Sequence, residues 1–71
     1  MSPRELREVI KAVPFQPFKL GLADGRVIPV PHGDYISLSP GGWTVIVWKD
    51  EGGYFVIDVA AVTALEMQDR R

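Results

Sequence analysis

Apolar residues along this chain change their spacing near position 14. Before it, Leu6, Val9, Ile10 and Val13 recur at intervals that place them on one stripe of an α-helix, with Arg4, Arg7 and Lys11 on the other side. Ser2 can cap that helix, Pro3 suits its first position, and Glu5 completes a Ser-x-x-Glu capping box. Pro14 ends it, because the proline ring pushes the preceding Val13 out of the α region. The pattern predicts a helix over 3–13. A helix of about three turns is too short to be stable alone, so its stripe must dock on something.

After position 14 the period becomes two. Pro17 stiffens the entry to a strand in which Phe18, Leu20 and Leu22 alternate with Lys19, Gly21 and Ala23. Asp24-Gly25 is a hairpin signal, since such turns need positive φ angles. The return strand, 26–30, carries Pro29, which cannot donate a ladder bond and marks an edge or a bend. Pro31, His32 and Gly33 break the run before a short strand at 35–38. Two turns, "SPGG" and "KDEGG", flank "WTVIVW", and "YFVID" follows. In both of these strands each parity is apolar. Trp43, Val45 and Val47 stand on one side with Ile46 and Trp48 on the other, and Tyr54 and Val56 stand against Phe55 and Ile57. Two such neighbours imply a sheet covered on both faces. The helix is expected to cover part of one face and a second subunit the rest.

The tail "DVAAVTALEMQDRR" reads as one helical turn at 59–61 and a last strand at 62–67, with 68–71 frayed. The alternative is a single helix over 59–69. Taken together, the pattern predicts a mainly β, α+β fold in one domain. It comprises an N-terminal helix and a small bent antiparallel sheet or barrel of five or six strands over 18–67, SH3-like or Sm-like. Closing the barrel would remove most free strand edges.

Composition sharpens one point. A chain of 71 residues buries little of its surface, yet 46% of its residues are hydrophobic. There is no cysteine and only one histidine, so neither disulfides nor a thiolate metal site can staple it. Oligomerisation is the remedy that remains. A net charge of −1 and a pI of about 5.7 give no general attraction to nucleic acid or anionic lipid. No apolar run is long enough to span a membrane, and the charged N-terminus does not read as a signal peptide. The expected location is cytoplasmic.

Candidate chemistry is sparse. His32 and Asp34 are the nearest approach to an acid–base pair, but no nucleophile motif adjoins them, and residues after a proline turn serve as caps or face solvent. Asp24 and Asp50 fit turns and Asp58 fits a cap. The glycines lack a phosphate-binding context. No catalytic residue, metal site or cofactor is assigned. The aromatic residues Trp43, Trp48, Tyr54 and Tyr35 are the interface or binding candidates, with one tryptophan expected in the core and the other at an interface.

The stretch "PFQPFKLGLADGRVIPVPHGDYI" resembles a group of small uncharacterised bacterial proteins. Their pattern is F-x-P-F-x-L-x-L-x-D-G-R, then V-x-H-P-D, then I-D-h-x-x-I-T-x-I-E, with h hydrophobic. Phe15, Pro17, Phe18, Leu20, Leu22, Asp24, Gly25, Arg26, Val30, His32 and Asp34 match, as do Ile57, Asp58, Val62, Thr63, Leu65 and Glu66; Gly33 replaces the proline. The resemblance implies a final strand and no particular activity. The helix and the "LADGR" strand pair also resemble Sm/Hfq-type barrels. Val30 replaces the expected glycine, Asp58-Val59 replaces an Arg-Gly step, and the chain has no asparagine for the nucleotide pocket. That likeness implies barrel geometry without the RNA pocket, so single-stranded RNA would have to use Lys19, Arg26 and Lys49 with an exposed aromatic.

The functional expectation is a non-enzymatic interaction module that forms a homo-oligomer and binds a protein partner. An Sm-like single-stranded RNA-binding protein is the alternative.

Overall fold

The computed structural model describes residues 1–67. It contains one helix and six strands: α1 (Pro3–Ile10), β1 (Phe18–Leu22), β2 (Val27–Val30), β3 (Ile36–Leu38), β4 (Thr44–Trp48), β5 (Tyr54–Asp58) and β6 (Val62–Met67). Single 3-10 turns at Gly33–Tyr35 and Val59–Ala61 precede β3 and β6. The strands form two three-stranded antiparallel sheets, ordered β2-β1-β6 and β3-β4-β5. The fold is therefore α+β and mainly β, as the alternation predicts. The expected frayed tail, 68–71, lies outside the described residues.

Local chemistry accounts for most boundaries. The Ser2 hydroxyl accepts from the Glu5 N–H while the Glu5 carboxylate accepts from the Ser2 N–H, so the capping box forms. These bonds, the backbone one first, hold the Glu5 carboxyl below its ordinary pKa. At the hairpin, Asp24 accepts from the backbone N–H of Arg26 at 3.0 Å and from its Nε at 2.8 Å, around a Gly25 with φ of 93°. The backbone bond is the main reason the Asp24 carboxyl titrates below its usual range.

Inward positions alternate as predicted. Phe18, Leu20 and Leu22 of β1 meet Val45 and Val47 of β4 and Ile57 of β5 in one core, closed further by Val59 and Val62. Leu6 enters it from the helix and is fully buried.

Three expectations are corrected. First, α1 ends at Ile10, not at 13, and Val13 is 95% exposed rather than docked. The restriction that Pro14 places on Val13 is followed by loss of helix at Lys11 and Ala12 as well. Secondly, the strands do not close into a barrel. Pairing stops at β2 on one side and resumes at β3, because Pro31 to Tyr35 turn the chain out of the ladder. Thirdly, the third strand begins at Ile36, and Tyr35 belongs to the turn. The helix α1 covers part of the inner face through Leu6, which joins the core of Val45, Val47 and Ile57. It sits beside the β3–β4 turn and the start of β6: Arg7 Nη2 donates to the Pro40 carbonyl at 3.5 Å, and the N-terminal amine donates to the Val62 carbonyl at 2.9 Å.

Helix docking rests on close backbone approach. Gly42 has φ of 84°, and a Cβ there would lie 2.6 Å from the Cβ of Pro3. Gly42→Ala is expected to strain the turn and push the helix away. Leu6→Ala is expected to cost about 2–5 kcal/mol. Thermal melts followed by circular dichroism check both. Each variant should melt lower, with Leu6→Ala down by roughly 10 °C or more in a domain this small.

Candidate interaction surface

The outward side of the β3-β4-β5 sheet is built by strand parity alone. Val45, Val47, Phe55 and Ile57 point to the core, so Thr44, Ile46 and Trp48 of β4 and Tyr54, Val56 and Asp58 of β5 must point out. The register sets them in pairs: Trp48 opposite Tyr54, Ile46 opposite Val56, Thr44 opposite Asp58. The Trp48 and Tyr54 rings meet edge to face with centroids 5.1 Å apart. Trp48 is 44% exposed, Tyr54 55% and Val56 64%. Nothing in the described chain covers them.

The predicted aromatic residues therefore separate. Trp48 and Tyr54 are neighbours on this face. Trp43 stands outside it, just before β4, and is 54% exposed. The expectation of one buried tryptophan fails. The narrow valines at 45 and 47 take the inward positions of β4, which leaves Trp48 on the outward parity and Trp43 beyond the strand end. Ile46 and Val56 complete the face beyond the aromatic candidates; their signal is the second apolar parity of the two strands, and the register shows that this parity points outward.

Tyr35 lies elsewhere, at a cleft of about 450 Å³. Its walls come from Ile28, Pro29 and Pro31 around β2, and from Val47 to Glu51 and Phe55 around the β4–β5 turn. Lys49 Nζ stands 4.7 Å above the Phe55 ring, within cation–π range. The Tyr35 hydroxyl donates to Asp50 Oδ1. Asp50 thus bonds across the cleft rather than only within its own turn. The carboxylate stabilises the neutral phenol, so the pKa of Tyr35 rises above 10.0, through the hydrogen bond first and the charge second. A smaller cleft of about 200 Å³ lies between the β1–β2 turn, with Asp24 and Arg26, and Val56 to Asp58 of β5. The two clefts run along the side of the molecule where the free edges of β2 and β5 face one another. α1 and the 11–17 link occupy other ground, with Phe15 against Gly33 and 5.7 Å from Phe18.

The basic residues are not brought together. Lys49 borders the large cleft, Arg26 the small one, and Lys19 a third depression beside Pro17 and Pro29. Arg26 is held by Asp24 at 2.8 Å, and Lys19 sits opposite Glu66 in the β1–β6 register. His32 and Asp34 are both exposed, and no hydrogen bond joins their side chains. His32 lies with its ring 6.0 Å from that of Tyr35. Asp58 takes the cap position before Val59 without a side-chain capping bond. No helix among the described residues is long and apolar enough to cross a membrane.

Comparison of the chain with protein-family models, with curated proteins and with solved structures gives no match.

The Tyr35–Asp50 bond has a pH signature. A phenol whose folded pKa exceeds its unfolded one adds stability below pH 10, and loses it as pH rises through the raised pKa. The bond is open to solvent, so the effect on stability is small. In a Tyr54→Phe background, ultraviolet titration of the remaining tyrosine should give a midpoint above pH 10, and Asp50→Asn should lower it.

Proposed function

We propose that the protein is a non-enzymatic interaction module, which self-associates and binds a protein partner through the outer face of β4 and β5. One observation carries this reading. Ile46, Trp48, Tyr54 and Val56 form a contiguous apolar face, held rigid by a five-residue strand pairing, with nothing among the described residues above it. Apolar surface gathered on one sheet face, rather than scattered, is the usual mark of a contact site. Aromatic side chains anchored by neighbours lose little entropy on binding, which suits Trp48 and Tyr54 to that role. The excess of hydrophobic residues over available interior in a 71-residue chain points the same way. The scattered basic residues support no comparable nucleic-acid surface. The expected Sm-like RNA alternative therefore has no specific observation in its favour.

The test is self-association with and without the face. Sedimentation velocity over a concentration series should show the wild-type chain passing from monomer to a defined oligomer below about 100 µM, the range of a modest interface. The double variant Tyr54→Thr/Val56→Thr keeps β-favouring residues and removes most of the exposed apolar surface at β5. It should weaken association at least about tenfold, a loss of about 1.4 kcal/mol. A wild-type chain that stays monomeric throughout the series would overturn the reading, as would a double variant that associates like the parent.

A further inference from the structure

The outer face is too small to hold two copies together by itself. At their observed exposures, Trp48, Tyr54 and Val56 leave roughly 300 Å² of open apolar surface, counting an aromatic side chain at roughly 150–250 Å². A stable pair of proteins needs about 800 Å² from each partner. Something adjoining the face must supply more contact, and the strand that carries Tyr54 and Val56 is an edge strand.

Backbone parity shows what that edge offers. Lys49 N–H donates to the Gly53 carbonyl at 3.1 Å, and Val59 N–H donates to the Trp43 carbonyl at 2.9 Å. These bonds close the two ends of the β4–β5 ladder. Between them the hydrogen-bonded pairs are Val47 with Phe55 and Val45 with Ile57. Tyr54, Val56 and Asp58 fall on the alternate positions, so their N–H and C=O groups point away from β4. The Asp58 carbonyl is engaged by the 3-10 turn Val59–Ala61 that it caps, whereas among the described residues the N–H groups of Tyr54, Val56 and Asp58 and the carbonyls of Tyr54 and Val56 have no turn or loop backbone partner on that side.

The other edges are impaired. In β2 the same parity argument, anchored by Leu22 N–H on the Arg26 carbonyl, turns Pro29 toward the free side, where it has no N–H to give. β3 has only three residues and runs into Pro40. The pairing of β6 is displaced by an irregularity opposite Gly21 and Leu22. β5 has no proline, no bulge and no lysine, the usual devices that discourage edge pairing.

We propose that β5 pairs antiparallel with β5 of a second copy about a two-fold axis at Val56, joining two three-stranded sheets into one of six. This rests on the self-association reading and specifies its geometry. In that register Val56 meets its own counterpart, and each Tyr54 meets Asp58 of the other copy. Val56 then exchanges two hydrogen bonds with its counterpart, and the Asp58 N–H of each copy donates to the Tyr54 carbonyl of the other. Electrostatics selects the same direction. A parallel pairing in register would set Asp58 against Asp58, whereas the antiparallel one separates the carboxylates and gives each a phenol hydroxyl as neighbour. The axis stands perpendicular to the sheet, so both inner faces stay on one side. The two open sides, each with its clefts of about 450 and 200 Å³, are brought opposite one another. The two outer faces merge into a single apolar surface of double the size, suited to a protein partner.

Two measurements on the full chain test this. Val56→Pro removes the central edge donor without touching the β4–β5 ladder, and the restriction it places on Phe55 is already satisfied in a strand. The expected result is an unchanged circular dichroism spectrum and association weakened about a hundredfold or more, corresponding to at least about 2.7 kcal/mol. The second uses the absence of cysteine from the chain. Val56→Cys should give a disulfide-linked dimer under mild oxidation, far faster than Thr63→Cys on β6. If the wild type dimerises, yet Val56→Cys links no faster than Thr63→Cys, edge pairing is overturned while self-association stands. The same conclusion follows if a folded Val56→Pro dimerises like the parent. A wild type that is monomeric throughout overturns both.

Discussion

Two sheets of three short strands share one core, and the seal around that core governs everything else in the molecule. Alternate residues of β1, β4 and β5 point into the space between the sheets, where burial of each large aliphatic or aromatic side chain stabilises the fold by roughly 1.5–3 kcal/mol. Such an arrangement has open sides wherever the strands fail to pair across from one sheet to the other. The described residues include one α-helix, of eight residues, with which to close them. Leu6 fills the core from the helix, Pro3 lies over Gly42, and Phe15 packs on Gly33 and Phe18. The side bounded by β2 and β5 receives no equivalent cover and carries the two clefts.

The uncovered side and the apolar outer face meet at β5. One strand therefore bears both the free backbone edge and half of the exposed apolar face. Chain economy explains why: with so few residues, polar cover on both faces of both sheets would leave too little apolar surface for a core. The outer face of the other sheet carries Lys19 and Glu66 in paired register beside Pro29, and among the described residues its one large exposed hydrophobic there is Val27 rather than an aromatic cluster. The asymmetry between the two sheets is what singles out β5 as the place where this chain meets other protein.

Much of the fold was legible in the sequence. A period of two locates β1; unbroken runs of β-branched and aromatic residues between turns locate β4 and β5; Asp24-Gly25 specifies the hairpin; Asp58 followed by small residues marks the turn before β6. Each of these signals is local, and local propensity decided the outcome. The failures involve contacts between distant residues. Which parity of "WTVIVW", Val45 and Val47 or Ile46 and Trp48, turns inward depends on the register with β5 and on the room left by Phe18 and Leu20, neither of which is written in the segment itself. The shared stripe of Val9, Ile10 and Val13 predicts a longer α1 than forms, because Val13 is exposed and gains no burial from continuing the helix. The bond from Tyr35 to Asp50 spans 15 residues and two turns, so Asp50 looked like an ordinary turn aspartate. Barrel closure fails at Pro31 to Tyr35, where the sequence shows a break in the strand and only the sheet order shows that continuity ends there.

The most direct measurement is residue-resolved amide hydrogen exchange at two protein concentrations well below and well above the association midpoint. Phe55 and Ile57 donate into the β4 ladder and should exchange slowly at both. Tyr54, Val56 and Asp58 face the free edge; they should exchange rapidly in the dilute protein and become protected in the concentrated one. Protection of Val56 that is absent at both concentrations, or already complete in the dilute protein, would contradict the account.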